Sequence, residues 1–250
     1  MSKQKHFYLI RGLIREKGHW GSFLAHLHNV FPDAKVTTID IPGAGDYYQS
    51  PSPLTIRQMV EQMRQDFLKV RTDDEESYLI AISLGGMIAM EWMRYFPADF
   101  KKATLINTSF GGISPVYQRL FPSALFYLLK VPVLKGRAKE SHILKLVSNH
   151  ADIFEETLNM WEVIQKDRPV SLSNTIRQLL AAARFKIGEF HPPIPLSILA
   201  STTDRMVSVE CSRAIAKKWK LPITEHPTAG HDLSVDDPEW VAQKIKNFIG

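Results

Sequence analysis

Tyr78-Leu79-Ile80-Ala81-Ile82-Ser83-Leu84-Gly85-Gly86-Met87-Ile88-Ala89-Met90 decides how this chain is read. A nearly uninterrupted apolar run ends at Ile82, as in a strand covered on both faces. A serine follows, then small residues, then a helical pattern. A serine on so tight a strand-to-helix turn stands clear of the sheet at a helix N-terminus. There the N–H groups of the turn and the helix dipole stabilise developing negative charge. Strand and helix approach closely at such a turn, so the residues two before and two after the serine must be small. Ala81 and Gly85 are small, with Gly86 in support. A serine capping an ordinary helix leaves the same local mark, so the rest of the chain has to arbitrate.

Working outward, short apolar and β-branched runs at 7–10, 35–40, 78–82, 103–108, 196–201 and 223–226 read as strands. Helical periodicity separates them: Leu54, Met59, Val60, Met63 and Phe67 form one stripe, Trp20, Phe23, Leu24 and Leu27 another. Trp240, Val241, Ile245 and Phe248 form a third. Alternation of this kind predicts an α/β fold with a mostly parallel central sheet and helices on both faces. One stretch breaks it. Residues 110–191 carry helical patterns at 116–130, 141–149, 153–166 and 171–185, punctuated by Pro115, Pro122, Pro132 and Pro169. So long an insert between two strands predicts a helical cap, with 1–109 and 192–250 as the core. The plainer alternative is that these helices simply cover the sheet.

Composition narrows the function. At 250 residues, 44% hydrophobic and 23% charged, the chain matches a core-forming globular protein rather than a disordered, collagen-like or coiled-coil one. No apolar run approaches the roughly eighteen residues of a membrane span. The stretch from Met1 to Ile10 lacks the long apolar run and cleavage site of a signal peptide. A single cysteine, Cys211, cannot form an internal disulfide and fits a reducing, cytoplasmic setting. Net charge is +5, and residues 110–191 hold 11 Lys and Arg against 7 Asp and Glu. These alternate with acids and apolar residues, so no nucleic-acid stripe is expected; a mildly anionic substrate suits them better. His26 and His28 flank Leu27 and cannot share a helix face, so no metal site is expected from them.

On these marks the chain resembles the α/β-hydrolase family, in its lid-bearing serine esterase and lipase-like branch, over residues 6–250. The family's Gly-x-Ser-x-Gly elbow reads Ala81-Ile82-Ser83-Leu84-Gly85 here, with alanine as a still-small departure. Asp40-Ile41-Pro42-Gly43-Ala44-Gly45 resembles the family's Asp-x-Pro-Gly-x-Gly turn, whose role is structural. The family's order of nucleophile, acid and histidine implies Ser83, Asp204 in Thr202-Thr203-Asp204-Arg205, and His231 in Ala229-Gly230-His231-Asp232. Chemically, serine needs a base to take its proton, and a carboxylate on the far ring nitrogen fixes the tautomer of that base. Asp204 could instead cap the helix that begins near Val209. Asp232, Asp236 and Asp237 suit capping of the last helix, which Asp237-Pro238 would open.

The resemblance further implies an oxyanion hole from the N–H groups of Leu84 and Leu13. Arg11-Gly12 stands where the family usually carries His-Gly. Arg11 either bridges to a carboxylate within its loop or selects an anionic substrate, and Gly12 and Trp161 join it as candidate substrate contacts. The implied activity is hydrolysis of a carboxylic ester through an acyl-enzyme, of the carboxylesterase type, with no cofactor and no metal. A small-molecule ester or thioester is the expected partner. A thioesterase, a C–C bond hydrolase and a non-catalytic ligand-binding member of the fold are the alternatives. A homodimer stays open.

Overall fold

The computed structural model describes residues 3–250. In chain order, β1 (Gln4–Ile10), α1 (Phe23–Val30), β2 (Lys35–Ile39), α2 (Ile56–Val70), β3 (Glu75–Ile82), α3 (Leu84–Tyr95) and β4 (Lys102–Ile106) come first. Helices α4 (Val116–Arg119), α5 (Pro122–Leu128), α6 (Gly136–Val147), α7 (Phe154–Asp167) and α8 (Leu172–Arg184) follow. The chain then returns to the sheet with β5 (Leu196–Ser201), α9 (Val209–Trp219), β6 (Ile223–His226), α10 (Leu233–Asp236) and α11 (Pro238–Ile249). The strands form one sheet in the order β2-β1-β3-β4-β5-β6, every pair parallel.

Parallel strands need crossovers, and crossover helices cover both faces of the sheet. Successive side chains of a strand point to opposite faces. Phe7, Leu9, Tyr78, Ile80 and Ile82 therefore pack with Phe23 and Leu27 of α1 and Val241 and Ile245 of α11. Tyr8, Ile10, Leu79 and Ala81 pack the other way, against Met59, Met63 and Phe67 of α2, Ile88 and Trp92 of α3, and Ile215 of α9. Burial on both sides is why these strands read as continuous apolar runs. The segment between β4 and β5 contributes a third apolar cluster, in which Leu144, Leu158 and Trp161 meet Ile14, Met206, Val207 and Cys211.

Several boundaries differ from the expectation, each for a physical reason. Strands β1 and β3 begin three residues earlier, at Gln4 and Glu75. Their polar starts satisfy one another across the sheet, His6 Nδ1 lying 2.8 Å from Glu75 Oε2 and His6 Nε2 2.7 Å from Thr37 Oγ1. Strand β4 stops at Ile106, because Asn107 turns into the left-handed region at φ 45°. The 116–130 pattern divides into α4 and α5. Phe121 precedes Pro122 and is pushed out of the helical region, to ψ 140°; its N–H donates instead to the Met206 carbonyl at 3.0 Å.

Candidate active site

Ser83 sits between β3 and α3 at φ 56° and ψ −117°, a conformation that costs a non-glycine residue of order 1–3 kcal/mol. Its surroundings impose that conformation. The Ser83 N–H donates to the Ile106 carbonyl at 2.9 Å, and its carbonyl accepts from Thr108 Oγ1 at 2.8 Å and from the Gly86 N–H at 2.9 Å. Glycine is required next to it: a Cβ on Gly85 would lie 2.6 Å from the Ile10 carbonyl oxygen and 2.7 Å from that of Arg11. On Gly86, a Cβ would come 2.6 Å from Thr108 Cβ.

Three side chains from distant loops meet at this turn. His231 Nε2 lies 2.9 Å from Ser83 Oγ, and His231 Nδ1 lies 2.7 Å from Asp204 Oδ2. Asp204 comes from the loop after β5 and His231 from the loop after β6. The other oxygen of Asp204 accepts the N–H groups of Met206 and Val207 at 2.7 and 3.0 Å. The carboxylate thus both caps a turn and faces the imidazole, while Ser208 caps α9. Burial of His231 pulls its pKa down; the charge and hydrogen bond of Asp204, helped by Asp232, override burial and raise it above 6.5.

The histidine loop is held from several sides. Asn107 donates to the His231 carbonyl at 2.8 Å while its own side-chain oxygen accepts from the Ser201 N–H at 2.8 Å. Asp236 accepts from the N–H groups of Gly230 at 2.6 Å and Asn149 at 2.9 Å, and the Asp232 N–H donates to the Val147 carbonyl at 2.8 Å. Of the three acids expected to cap the last helix, only Asp237 does so, accepting from the Trp240 N–H at 3.0 Å. Asp236 is instead a clamp between α6 and the histidine loop, and Asp232 pairs with Arg11 through both carboxylate oxygens.

That pairing fixes the place of Arg11. Its guanidinium is buried, bonded to Asp232 and at 2.9 Å to Ser234 Oγ, and lies 4.8 Å from the Trp20 ring centroid. Gly12 passes close beneath Ser83, where a Cβ would come within 3.1 Å of Ser83 Cβ. Ile14 is left-handed at φ 53°, and its N–H donates to Gln178 Oε1 of α8 at 2.9 Å. The N–H groups of Leu13 and Leu84 have no acceptor among the described residues. Trp161 is fully buried, with the Arg15 guanidinium 4.0 Å from its ring centroid, and is not among the residues walling the cleft above Ser83. The Asp40 turn is structural, its carboxylate accepting the N–H groups of Lys17 at 2.7 Å and Asp46 at 3.0 Å.

Above Ser83 lies a cleft of about 40 Å³, walled by Arg11, Gly12, Arg15, Leu146, Val147 and Met206 among others. It adjoins an apolar groove of about 390 Å³ between α5 and α8, the two sharing Leu13, Ile14 and Leu128. Sequence reasoning passed over Arg15, Asn107 and Gln178, which no local motif marks, and assigned Asp236 to capping. No group of three or more His, Cys, Asp and Glu side chains is arranged to hold a metal ion among the described residues. Nor is any described helix long and apolar enough to cross a membrane.

A parallel sheet carrying a positive-φ serine between a strand and a helix, with histidine and aspartate supplied by later strand ends, is the layout of a hydrolase. The chain belongs to the α/β hydrolase family, whose model matches residues 8–244. No curated protein matches it in sequence. Solved structures share the fold. A lipase-esterase related protein from Clostridium acetobutylicum ATCC 824 is 17% identical, with 99% of this chain and 96% of that chain covered at a TM-score of 0.73. An esterase from Rhodococcus sp. ECU1013 is 15% identical, with 98% and 90% covered at 0.75. A membrane phospholipase A described as a bacterial virulence factor is 20% identical, with 98% and 78% covered at 0.79.

Proposed function

We propose that this hydrolase cleaves carboxylic esters by a covalent acyl-enzyme route, with Ser83 as nucleophile, His231 as general base and acid, and Asp204 as orienter. The observation that carries the reading is the continuous chain from Asp204 through His231 to Ser83, at 2.7 and 2.9 Å. Ser83 Oγ gives its proton to His231 Nε2 as it attacks the ester carbonyl carbon. The imidazolium is stabilised by Asp204, and the tetrahedral oxyanion by the free N–H groups of Leu84 and Leu13. His231 then hands the proton to the departing alkoxide, leaving the acyl group on Ser83. A water deprotonated by His231 attacks that acyl carbonyl and releases the acid, regenerating Ser83. Helices α4–α8 act in this reading as a cap that walls the substrate cleft.

Intact-mass analysis after treatment with a fluorophosphonate tests the proposal on wild type, Ser83→Ala and His231→Ala. A single adduct on wild type that both variants lose is expected, because the probe reports a serine activated by its base. A folded wild type unlabelled by both a fluorophosphonate and a smaller sulfonyl fluoride would refute it.

A further inference from the structure

The expectation that an arginine selects an anionic substrate first fell on Arg11, but both terminal nitrogens of Arg11 are engaged by Asp232 and Ser234. The cleft has a second arginine. Arg15 lies on the same loop, two residues beyond Leu13, and walls the cleft with Ser83 and His231. Its side chain is only 7% exposed. Nη1 is engaged, donating to Glu140 Oε2 of α6 at 2.8 Å and to His19 Nε2 at 3.2 Å. Nη2 is buried and has no acceptor among the described residues. The Trp161 ring, 4.0 Å away, fixes the plane of the guanidinium. A buried guanidinium edge without an acceptor is a standing cost to the folded protein, and a ligand oxygen reaching Nη2 from the cleft removes it.

The charges around this point favour a monoanion. Arg11 is balanced by Asp232 and Arg15 by Glu140. Lys139, next to Glu140, lines the apolar groove that adjoins the cleft and has no carboxylate in ion-pair range among the described residues. Burial lowers its pKa. Ile14 borders the cleft, the groove and the hollow that Arg15 and Lys139 share, so the two cations lie around one residue. Arg15 and Lys139 thus share the single carboxylate of Glu140, which leaves one net positive charge and one guanidinium nitrogen without an acceptor beside the cleft and the apolar groove. A single carboxylate at the end of an aliphatic chain matches both counts, whereas a dianionic phosphate leaves one charge unpaired.

We propose that Arg15, with Lys139, forms a carboxylate-binding subsite, so that the substrates are esters whose acyl chain ends in a carboxylate. The proposal rests on the ester-hydrolase reading of Ser83 and extends it to the substrate class. A hydrogen bond to a charged group inside such a cleft discriminates roughly 10- to 100-fold.

The test compares kcat/KM for the mono-p-nitrophenyl esters of succinate, adipate and suberate with that for p-nitrophenyl alkanoates of matching length. The expected result is that at least one dicarboxylate monoester exceeds its alkyl counterpart roughly tenfold or more, and that Arg15→Met and Lys139→Met each bring the ratio down towards one. Arg15→Met strands Glu140, so its fold is checked by thermal melting; Lys139→Met breaks no ion pair and serves if Arg15→Met unfolds. A wild-type ratio at or below one for every length overturns the proposal, as does a ratio unchanged in the variants. Calorimetric titration of hexanoate, with hexan-1-ol as the uncharged control, separates this failure from failure of the hydrolase reading. If no ester is turned over but hexanoate binds and binding is lost in Lys139→Met, the subsite stands and the hydrolase reading falls. If hexanoate binds no better than hexan-1-ol in a chain that turns over no ester, the subsite falls too.

Discussion

Replacing Gly85 with alanine drives a methyl group into the backbone of β1. The added Cβ would stand 2.6 Å from the Ile10 carbonyl oxygen and 2.7 Å from that of Arg11, whereas real Cβ contacts essentially never fall under 3.0 Å. Either α3 or the end of β1 must therefore yield by 0.3–0.4 Å at least. No flexible side chain can absorb the shift, because both obstacles are main chain. Overpacking of this kind costs about 1–3 kcal/mol, and in a chain of this length each kcal/mol lowers Tm by about 2–4 °C. A fall of roughly 2–12 °C is expected by differential scanning calorimetry. The displaced Arg11 carbonyl leads directly into Gly12 and Leu13, so fluorophosphonate labelling of Ser83 should slow by about tenfold as the N–H group of Leu13 loses its aim. Ala81→Gly is the matched control. The Ala81 methyl is already accommodated in the core, and its removal should cost only about 0.5–1 kcal/mol. A Gly85→Ala protein melting within about 1 °C of wild type and labelling at the wild-type rate would refute the close-approach reasoning.

Arg11→Met should destabilise the fold by about 3–5 kcal/mol, since it leaves Asp232 buried without its partner; urea denaturation should show most of that loss recovered when Asp232→Leu is added. The pKa of His231 is raised above 6.5 and on the proposed reading its neutral form is the base, so kcat/KM should rise with pH through a midpoint above 6.5, and a midpoint below that value would contradict the assignment. His19 has its pKa driven well below 6.5 by burial and then by the neighbouring Arg15. A depressed histidine binds fewer protons folded than unfolded, so its contribution is complete above pH 6.5 and is lost as pH falls; His19→Gln should flatten the decline in stability below pH 6.5, read by denaturation at stepped pH. Cys211 is fully buried and burial raises its pKa. It should react with Ellman's reagent only in denaturant, and prompt labelling of the native protein would show that the cluster around it opens.

What the sequence carried most clearly was whatever repeats locally. The parallel sheet follows from apolar runs at 78–82 and 196–201, and the elbow from small residues beside Ser83, because period and residue size act over a few positions. The same holds for Asp237, whose role as a cap is written by the proline after it. Polar residues that work across the chain left no such trace. Gln178 looks like a solvated helix position, yet it is wholly buried and reaches the N–H of Ile14 from 164 residues away. Asp236 resembles a capping acid but clamps Asn149 and Gly230. Arg11 and Arg15 are indistinguishable on paper; only the folded positions of Asp232, Ser234 and Glu140 show that Arg11 has both terminal nitrogens engaged while Arg15 keeps Nη2 without an acceptor. The starts of β1 and β3 left no local trace for the same reason, since His6 and Glu75 are polar and find their partners only across the sheet.

The Arg11–Asp232 pair joins residues 221 positions apart, and that span orders events during synthesis. A domain emerging N-terminus first can bring β1, β3 and β4 together, with Ser83 on its elbow, long before β6 exists. At that stage Ser83 has no His231 beside it and Arg11 has no carboxylate. Addition of β6 beside β5 delivers His231 and Asp232 in one step, completing the proposed triad and pairing the Arg11 guanidinium. Nascent chains stalled before β6 should accordingly show no fluorophosphonate adduct on Ser83. On the proposed reading the growing polypeptide is unreactive at Ser83 through most of its translation, and the event that switches on its reactivity is the same one that pairs the buried Arg11 guanidinium.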